Sequence, residues 1–409
     1  EIIISLMIDK SIKILTILEN NPYRDSNAAN NRFIALAEGL VNNNCELDLI
    51  FLKGFENRKE KITFKKRGIY NGLRYSYLFP YFISNDILRK LVFKIYSYFF
   101  NYRKIIKQIN NNDFDYIWLG VSPRIINIGL KLFKNKYNES IKILHERSEF
   151  SWIGLTKKNK IHDSYLYSFL PKVDCLIVMT NVLKVYYKKF VSSKTQIIHL
   201  PMTVDFKRFE KVYIEKSKIR SYIAYCGTMN NTKDGVNILI ESFIKIMRQF
   251  PELDLYLAGA KQPAADYQKQ IEIIQKNKAE KRIIYLGNLS RDKIPSFLIK
   301  SKILAMARPK SKQAEGGFPT KLGEYLATGN PVCVTRIGEI SNYLVDEKNA
   351  FIAESDSIES FSNALLRALT SEKAKQIGQA GLNIAQKNFN KDIQAKKLYQ
   401  FLHKQISER

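Results

Sequence analysis

Histidine, cysteine, tryptophan and acidic side chains are all scarce in this chain of 409 residues. It contains four histidines, four cysteines, two tryptophans, and 39 acidic residues against 66 lysines and arginines. The histidines show none of the spacings of a zinc site. The cysteines, at positions 45, 175, 226 and 333, lie far apart, and three of them fall in apolar runs. This pattern indicates buried free thiols in a reducing compartment, and we expect a cytoplasmic protein.

Several other signals are absent from the sequence. No stretch reaches the ~18–20 consecutive apolar residues that a membrane-spanning helix needs. No Gly-x-Gly-x-x-Gly follows a strand-like run, which makes a dinucleotide-dependent dehydrogenase improbable. No zinc-finger, RNA-recognition or helix-turn-helix signature is visible, although the chain is strongly basic.

The formal charge of +27 favours anionic partners. Nucleic acid, nucleotide-sugars and an anionic membrane face are the three classes that this charge suits. The length of the chain is suited to two domains rather than one.

Strand-like runs alternate with helical runs along nearly the whole chain, which is typical of parallel βαβ units. The first half predicts strands at 12–18, 45–52, 115–119, 141–145, 175–179 and 196–200, with a helix over 30–42. The second half predicts strands at 222–226, 253–258, 283–286, 303–307 and 332–335. We therefore predict an α/β protein with one domain over 1–205, a second over 206–388, and a last helix within 389–409.

The most informative stretch runs from Glu315 to Val332. Two glycines and a proline predict a loop, and a helix follows from about Thr320 until Gly329 and Pro331 end it. A loop that leads into a helix N-terminus directs backbone N–H groups at one point, which favours a phosphate. Glu324 lies one turn into this helix, where its carboxylate can accept hydrogen bonds from a ribose diol. The stretch therefore predicts a site for a nucleotide diphosphate.

These residues closely resemble the donor-binding motif of the retaining glycosyltransferases of family four. The resemblance implies the GT-B fold, in which two Rossmann-like parallel-sheet domains face each other across a cleft. It also implies that the last helix crosses back to the first domain. The second glutamate of the family motif matches Glu324, whereas Gly316 occupies the place of the first and Glu315 lies one residue early.

By the same resemblance, a turn after the strand at 222–226 grips the donor diphosphate. Lys233 matches the family's lysine, with a catalytic role, but Thr228 occupies the usual place of an arginine. We hypothesise that Lys321 supplies part of the missing positive charge. The residues expected to contact the donor are Gly227, Thr228, Lys233, Tyr285, Asn288, Arg308, Glu315, Gly317, Phe318, Pro319, Thr320, Lys321, Leu322 and Glu324. Tyr285 and Asn288 are expected near the base, and Arg308 is either near the sugar or an ordinary surface arginine.

A titratable cluster follows the predicted strand at 141–145. His145 and Glu146 are candidate catalytic residues, and Glu149 is a candidate acceptor-side contact. A surface ion-pair cluster is the alternative interpretation. The loop 20–29 lacks the glycines that the family usually has there, and Asn27 is its candidate acceptor contact.

Residues 51–112 form the most basic segment, with 14 lysines and arginines against three acidic residues. Apolar side chains recur at helical spacing over 87–109, between basic residues. Such a helix either lies on an anionic membrane surface or packs its apolar face into a domain core.

The resemblance thus implies an enzyme that transfers a sugar from a nucleotide-sugar to a saccharide or lipid-linked acceptor, with retention and without a metal or other cofactor. The resemblance implies a role in surface polysaccharide or glycolipid synthesis, with peripheral contact on the inner face of the cell membrane. We do not expect nucleic acid as a partner. A basic nucleic-acid-binding protein and an inactive nucleotide-sugar-binding relative are the two alternatives.

Overall fold

The computed structural model describes residues 11–24, 27–96, 102–110, 112–120, 140–150, 160–210 and 220–407. The chain divides into two compact units. One contains Glu1–Leu200 together with Gln394–Arg409, and the other contains Pro201–Ile393. The division at 200/201 lies slightly before the 205/206 boundary drawn from the sequence.

The first unit has an eight-stranded sheet in the order β3-β4-β2-β1-β5-β6-β7-β8. All neighbouring strands are parallel except β3 and β4, which are antiparallel. The strands are β1 (Ile12–Leu18), β2 (Cys45–Phe51), β3 (Arg67–Tyr70), β4 (Leu73–Tyr77), β5 (Tyr116–Gly120), β6 (Lys142–Arg147), β7 (Cys175–Val178) and β8 (Gln196–His199).

The described helices of this unit lie between the strands. They are α1 (Ala28–Val41), α2 (Arg58–Thr63), α3 (Asp86–Tyr96), α4 (Tyr102–Asn110), α5 (Lys160–Ser164) and α6 (Asn181–Tyr187). A π-helical turn at Tyr165–Phe169 and a 3₁₀ turn at Leu170–Lys172 extend α5. Asn27 caps α1 by accepting a hydrogen bond from the backbone N–H of Asn30, and the apolar face predicted for this helix is buried.

One feature of the first unit was not predicted from the sequence. The β3–β4 hairpin was not predicted, although Asn71-Gly72, both with positive φ, is a strong signal for its tight turn. The helix predicted over 87–109 corresponds to two described helices, and residues 97–101 of that prediction lie outside the described residues.

The second unit has a six-stranded parallel sheet in the order β11-β10-β9-β12-β13-β14. Its strands are β9 (Ser221–Cys226), β10 (Leu253–Ala258), β11 (Ile283–Gly287), β12 (Ile303–Met306), β13 (Val332–Thr335) and β14 (Phe351–Ala353). Of these, only β14 was not predicted, because three residues are too short for a clear pattern.

Ten helices of the described chain follow β8. They are α7 (Lys207–Glu210), α8 (Asn231–Asp234), α9 (Val236–Ile246), α10 (Ala264–Lys276), α11 (Lys293–Ile299), α12 (Lys312–Gly316), α13 (Thr320–Leu326), α14 (Ile358–Thr370), α15 (Ala374–Phe389) and α16 (Lys391–Ser407). Helix α16 packs Leu398 and Leu402 into the core of the first unit, where the Tyr116 hydroxyl donates to the Leu402 carbonyl at 2.7 Å.

The predicted two α/β domains with parallel sheets are thus confirmed. All four cysteines are free thiols; Cys45, Cys175 and Cys333 are buried and Cys226 is half-buried. Among the described helices, none combines the length and the apolar character needed to cross a bilayer.

Candidate functional site

The site in the second unit is built around the carboxyl end of β9, where ligands gather in sheets of this kind. The backbone N–H of Gly227 donates to the Ala258 carbonyl at 2.8 Å, and Met229 N–H donates to the Ala260 carbonyl at 3.0 Å. Gly259 allows this approach, because its φ is +136° and a Cβ there would lie 1.8 Å from the Gly227 carbonyl oxygen. The ends of β9 and β10 are therefore locked together.

Helix α13 is fastened to the same strand end through Tyr325. The fully buried phenol accepts a hydrogen bond from the Cys226 N–H at 2.8 Å. Because residues three and four apart share one face of a helix, Lys321 lies one turn before this anchor. Helix α13 has seven residues, and Gly329, with φ of +72°, follows its end as predicted.

The stretch before α13 differs from the predicted loop. Residues Lys312–Gly316 form a short helix whose N-cap, Ser311, accepts a hydrogen bond from the Ala314 N–H. Glu315 therefore lies in the short helix α12, and the prediction of an irregular loop over 315–319 is wrong for its first two residues. A Ser at this position, three residues before Ala314, was a usable capping signal.

Lys321 forms the centre of the site. Its ammonium lies 2.6 Å from Asp234 Oδ2 and 3.2 Å from the Tyr225 hydroxyl. Tyr225 is fully buried and donates to Asp234 Oδ2 at 3.0 Å, with the Thr228 carbonyl 2.6 Å from the same hydroxyl. Burial of Asp234 would raise its pKa, but the Lys321 charge and the hydrogen bonds from Lys321 and Tyr225 outweigh burial and hold the pKa below its usual range.

Gly227 leaves the space that the Lys321 ammonium occupies. A Cβ at Gly227 would lie 2.3 Å from Lys321 Nζ and 2.7 Å from the Tyr225 hydroxyl. A residue with a side chain at position 227 would therefore collide with the Lys321 ammonium in its present position.

Glu324 lies on the same side of α13 and forms an ion pair with Arg208 at 2.5 Å. Arg208 also donates to the Arg291 carbonyl at 3.0 Å. The Cys226 thiol lies near Glu324. Burial, and then the negative charge of the Glu324 carboxylate, raise the pKa of this thiol to about 11. This thiol is accordingly protonated at neutral pH.

The other donor-side candidates are spread around these groups. Lys233 lies in α8, directly before Asp234, and Thr228 is exposed at the end of β9. Tyr285 is half-buried against Tyr267, with ring centroids 4.9 Å apart, and Asn288 is exposed just after β11.

Several candidates in the motif are core residues. Phe318 packs on Phe389 with ring centroids 5.3 Å apart, and Leu322 is fully buried. Gly317 and Pro319 are also buried, while Thr320 is half-buried. The side chains of Phe318 and Leu322 therefore belong to the core of the second unit.

Arg308 is 3% exposed, so its interpretation as a surface arginine is wrong. It follows β12, and its charge contributes to the low pKa of Asp234. Its carbonyl accepts a hydrogen bond from the Thr335 hydroxyl at 2.6 Å. A buried guanidinium therefore adds positive charge close to the Lys321–Asp234 pair.

In the first unit, His145 lies inside the sheet layer. Nδ1 is 2.8 Å from the Leu119 carbonyl, and Nε2 is 2.9 Å from the Tyr165 hydroxyl. Burial, and then the charge of Arg147, lower its pKa to about 3. His145 is thus a neutral ring with both nitrogens engaged, and this placement favours a structural role.

Glu146 faces a pocket of about 300 Å³ at the carboxyl ends of β1, β5 and β6. Its carboxylate pairs with Arg32 at 2.5 Å, and Arg32, which is 3% exposed, also donates to the Leu200 carbonyl. Asn27 is exposed and caps α1, whereas Glu149 is half-buried beyond β6. The cluster at the end of β6 is therefore one of buried and paired groups rather than a surface ion-pair cluster.

Sequence reasoning missed the partners that fix the candidate residues. Asp234, Arg208, Arg32 and Tyr225 were not singled out. Asp234 follows Lys233 directly, and Arg208 lies in the Phe206-Lys-Arg-Phe209 segment, but no pattern in the sequence assigns either a partner. Among the residues that the structure describes, no group of three or more His, Cys, Asp and Glu side chains is placed to hold a metal ion.

The chain is similar in sequence to known glycosyltransferases. Residues 220–371 match the family model described as glycosyl transferases group 1. An uncharacterized glycosyltransferase of Methanocaldococcus jannaschii is 23% identical over 272 residues, which are 61% of this chain and 72% of the relative.

Two solved structures share the fold along nearly the whole chain. Sucrose-phosphate synthase of Thermosynechococcus elongatus has a TM-score of 0.73 at 16% identity and covers 97% of this chain and 100% of its own. HepE of Anabaena, solved in complex with UDP and glucose, has a TM-score of 0.70 at 13% identity and covers 96% and 99%. The predicted resemblance to a glycosyltransferase of the GT-B fold is confirmed.

Proposed function

We propose that this glycosyltransferase of the GT-B fold moves a sugar from a nucleotide-diphosphate-sugar to a saccharide or lipid-linked acceptor, with retention at the anomeric carbon. One observation carries the proposal. At the carboxyl end of β9, the buried Asp234 and Tyr225 hold the Lys321 ammonium in the space beside Gly227, and Arg208 holds the Glu324 carboxylate on the same helix.

The donor diphosphate is assigned to Lys321 and Lys233. A leaving diphosphate gains negative charge in the transition state, and fixed cations stabilise that charge without rearranging. Asp234 and Tyr225 hold the Lys321 ammonium in place, so little side-chain entropy remains to be lost when the phosphates bind. Thr228 does not supply a cation, and Lys321 and the buried Arg308 add positive charge in its neighbourhood. In this proposal the cations replace a metal, and no cofactor takes part.

The donor nucleoside is assigned to Glu324 and to the end of β11. The Glu324 carboxylate is a quarter exposed and is oriented by Arg208, so it can accept hydrogen bonds from a ribose diol. Tyr285 and Asn288 are assigned to contact the base. The complex of HepE with UDP and glucose supports a uridine nucleotide as the first donor to test.

The acceptor is assigned to the 300 Å³ pocket of the first unit. Glu146 lines it, and Asn27 and Glu149 are the acceptor-side candidates. Glu146 is the candidate catalytic residue of this pocket. His145 lines the pocket but supports it from the interior, and we assign it no proton transfer.

We also infer peripheral contact with an anionic membrane. Ile87, Leu88, Leu91 and Ile95 of α3 are 80%, 50%, 54% and 51% exposed and share one face of the helix, whereas Ile105 and Ile109 of α4 are buried. An exposed apolar helix face in the basic segment 51–112 suits the inner surface of a cell membrane, where surface polysaccharides and glycolipids are made.

Binding of UDP, GDP and their sugars by calorimetry tests the donor site. We expect one nucleotide to bind to the parent chain, at least tenfold more weakly to Glu324→Ala, and unchanged to Glu354→Ala, which removes an exposed carboxylate elsewhere in the second unit. Product analysis by NMR then establishes whether the anomeric configuration is retained, and the same assay with a chelator tests the absence of a metal.

Three results contradict parts of the proposal. If the chain binds no nucleotide but does bind a single-stranded oligonucleotide, the protein is a nucleic-acid-binding protein instead. Nucleotide binding without turnover of any nucleotide-sugar, with or without acceptor, indicates an inactive relative, in which Gly316 in place of glutamate is the first residue to examine. An inverted product removes the assignment of retention.

A further inference from the structure

A second pocket of the first unit lies away from the ends of β1, β5 and β6. Its volume is about 600 Å³, which is in the range of small-molecule sites. Strands β2 and β4, the start of β3 and helix α4 supply its lining residues. None of the candidate residues from the sequence lies in it.

Cationic groups dominate the wall of this pocket. It is lined by Lys66, Arg67, Arg74, Lys104 and Lys107, and Asp48 is the one acidic residue among its described lining residues. We call the cavity that these five cations line the basic pocket. All come from the basic segment 51–112, and together with Asp48 they give a formal charge of +4.

The basic pocket has one fixed cation and several available ones. Arg74 is held by Asp48 at 2.5 Å and by Glu46 at 3.0 Å, so Asp48 does not compensate the other charges. In the part of the chain that the structure describes, Lys66, Arg67 and Lys107 form no ion pair with a carboxylate. Ser76 and Gln108 add a hydroxyl and an amide to the wall.

Such a wall is suited to a phosphate-bearing ligand. Lysine ammonium and arginine guanidinium groups are the usual partners of phosphate oxygens. Each of them can form a charge-assisted hydrogen bond with a phosphate dianion. A volume of 600 Å³ exceeds what a lone phosphate fills, so the pocket has room for an organic group as well. Since the cations are exposed, binding should weaken strongly with salt.

We propose that the basic pocket is a second anion site, which binds the phosphate of a phosphorylated organic molecule and is separate from the donor site of the second unit. This proposal does not depend on glycosyl transfer. Two sources share the chemistry. One is an anionic lipid headgroup. Leu78 lines the basic pocket, and the next residue, Phe79, lines a neighbouring pocket together with Phe93 of α3, so apolar side chains lie beside the cations. The other is a soluble phosphorylated sugar.

The test compares the parent chain with Lys66→Ala/Lys107→Ala. The matched control is Lys188→Ala/Lys189→Ala, which removes the same charge from exposed lysines of the same unit outside the pocket. Two probes are used, glucose 6-phosphate by calorimetry and vesicles of phosphatidylcholine with 30% phosphatidic acid by pelleting, each at about 0.05 and 0.3 M NaCl. The donor-site variant Lys321→Ala is measured in parallel.

We expect the pocket variant to lose at least about tenfold in affinity for one probe, while the control and Lys321→Ala lose less than about twofold. Loss confined to glucose 6-phosphate identifies a soluble ligand, and loss confined to the vesicles identifies a lipid headgroup. The proposal is overturned if neither probe distinguishes the pocket variant from the control, or if Lys321→Ala removes the binding instead. Circular dichroism and thermal unfolding confirm that each variant is folded.

Discussion

The ammonium of Lys321 and the carboxylate of Asp234 lie 2.6 Å apart, with the lysine 19% and the aspartate 4% exposed. The fully buried Tyr225 donates to the same carboxylate and so fixes the geometry of the pair. Helix α13 and the short helix α8 are thereby joined at the point where β9 ends. A buried pair of this kind is costly to break, because the remaining partner keeps its charge without compensation.

The first prediction is a strong energetic coupling between these two residues. We expect Lys321→Met and Asp234→Asn each to lower the free energy of unfolding, with Lys321→Met costing more, since it leaves the better-buried carboxylate unpaired. The coupling energy from a double-mutant cycle should be about 1–3 kcal/mol. Urea unfolding of the two single variants and the double variant measures it.

The exposed pair Lys245–Glu359 provides the control for this cycle. Its side chains are 50% and 67% exposed, so solvent screens the attraction. The corresponding cycle, Lys245→Met with Glu359→Gln, should give less than about 0.5 kcal/mol. Equal coupling energies for the two pairs would contradict the importance of burial.

A second prediction concerns the space that Gly227 leaves. We expect Gly227→Ala to displace the Lys321 ammonium and to weaken binding of the donor nucleotide by about tenfold, which is the loss of one charge-assisted hydrogen bond. In a Lys321→Ala background the same change should cost less than about twofold. Calorimetric titrations of the four chains measure this, and an equal loss in both backgrounds would show that Lys321 is not what the methyl group displaces.

The ion pair of Arg208 with Glu324 leads to a third prediction. We expect Arg208→Gln to raise the KM for the nucleotide-sugar about five- to tenfold and to change kcat little, because a ribose is bound equally in the ground and transition states. Arg208 is a positioning residue in this view, acting through the Glu324 carboxylate.

A nucleotide without the diol separates this role from general destabilisation. The parent chain should bind 2′,3′-dideoxy-UDP more weakly than UDP, whereas Arg208→Gln should bind the two more nearly equally. A variant that loses affinity for both nucleotides by the same factor would place Arg208 outside ribose recognition.

The fourth prediction is a pH dependence of stability caused by His145. Its pKa is about 3 in the folded chain and about 6.5 when unfolded, so the unfolded chain binds more protons between these values. The stability that this residue contributes is present above pH 6.5 and is lost as the pH falls. Between pH 7 and pH 5 the free energy of unfolding should fall by about 2 kcal/mol from this group alone.

Urea unfolding of His145→Gln at the two pH values tests this assignment. The variant should lose that part of the pH dependence. Tyr165→Phe is the control, since it removes the hydroxyl partner of Nε2 but leaves a buried imidazole that titrates. If the pH dependence of His145→Gln equals that of the parent chain, the ring does not titrate as proposed.

Much of the architecture was predictable from local patterns. The strands at 12–18, 253–258 and 332–335 were predicted with the bounds that the structure has, because short apolar runs between turn residues have few alternatives. The hairpin of β3 and β4 was missed because its strands are polar and half-exposed, although Asn71-Gly72 marked its turn. The helix that contains Lys321 and Glu324 was also predicted, because Gly329 and Pro331 mark its end.

The placement of side chains at the site was less predictable. His145 was predicted as a candidate catalytic residue, but the sequence cannot show that Leu119 and Tyr165 enclose it. The partners of Glu146 and Glu324, which are Arg32 and Arg208, lie more than one hundred residues away along the chain. Such pairings depend on how the strands are ordered in the sheet, and no local spacing records that order.

The amino-acid sequence by itself determined the two α/β domains, the family resemblance and the strongly basic character, because each rests on residue type and short-range period. Tertiary structure alone decided which charges are paired and which remain available. It buried Asp234 beneath Lys321 and enclosed His145, and it collected five cations from the start of β3, from β4 and from α4 around one pocket. The physical reason is that burial and electrostatic pairing depend on distances in space, which the folded sheet sets and the sequence does not contain.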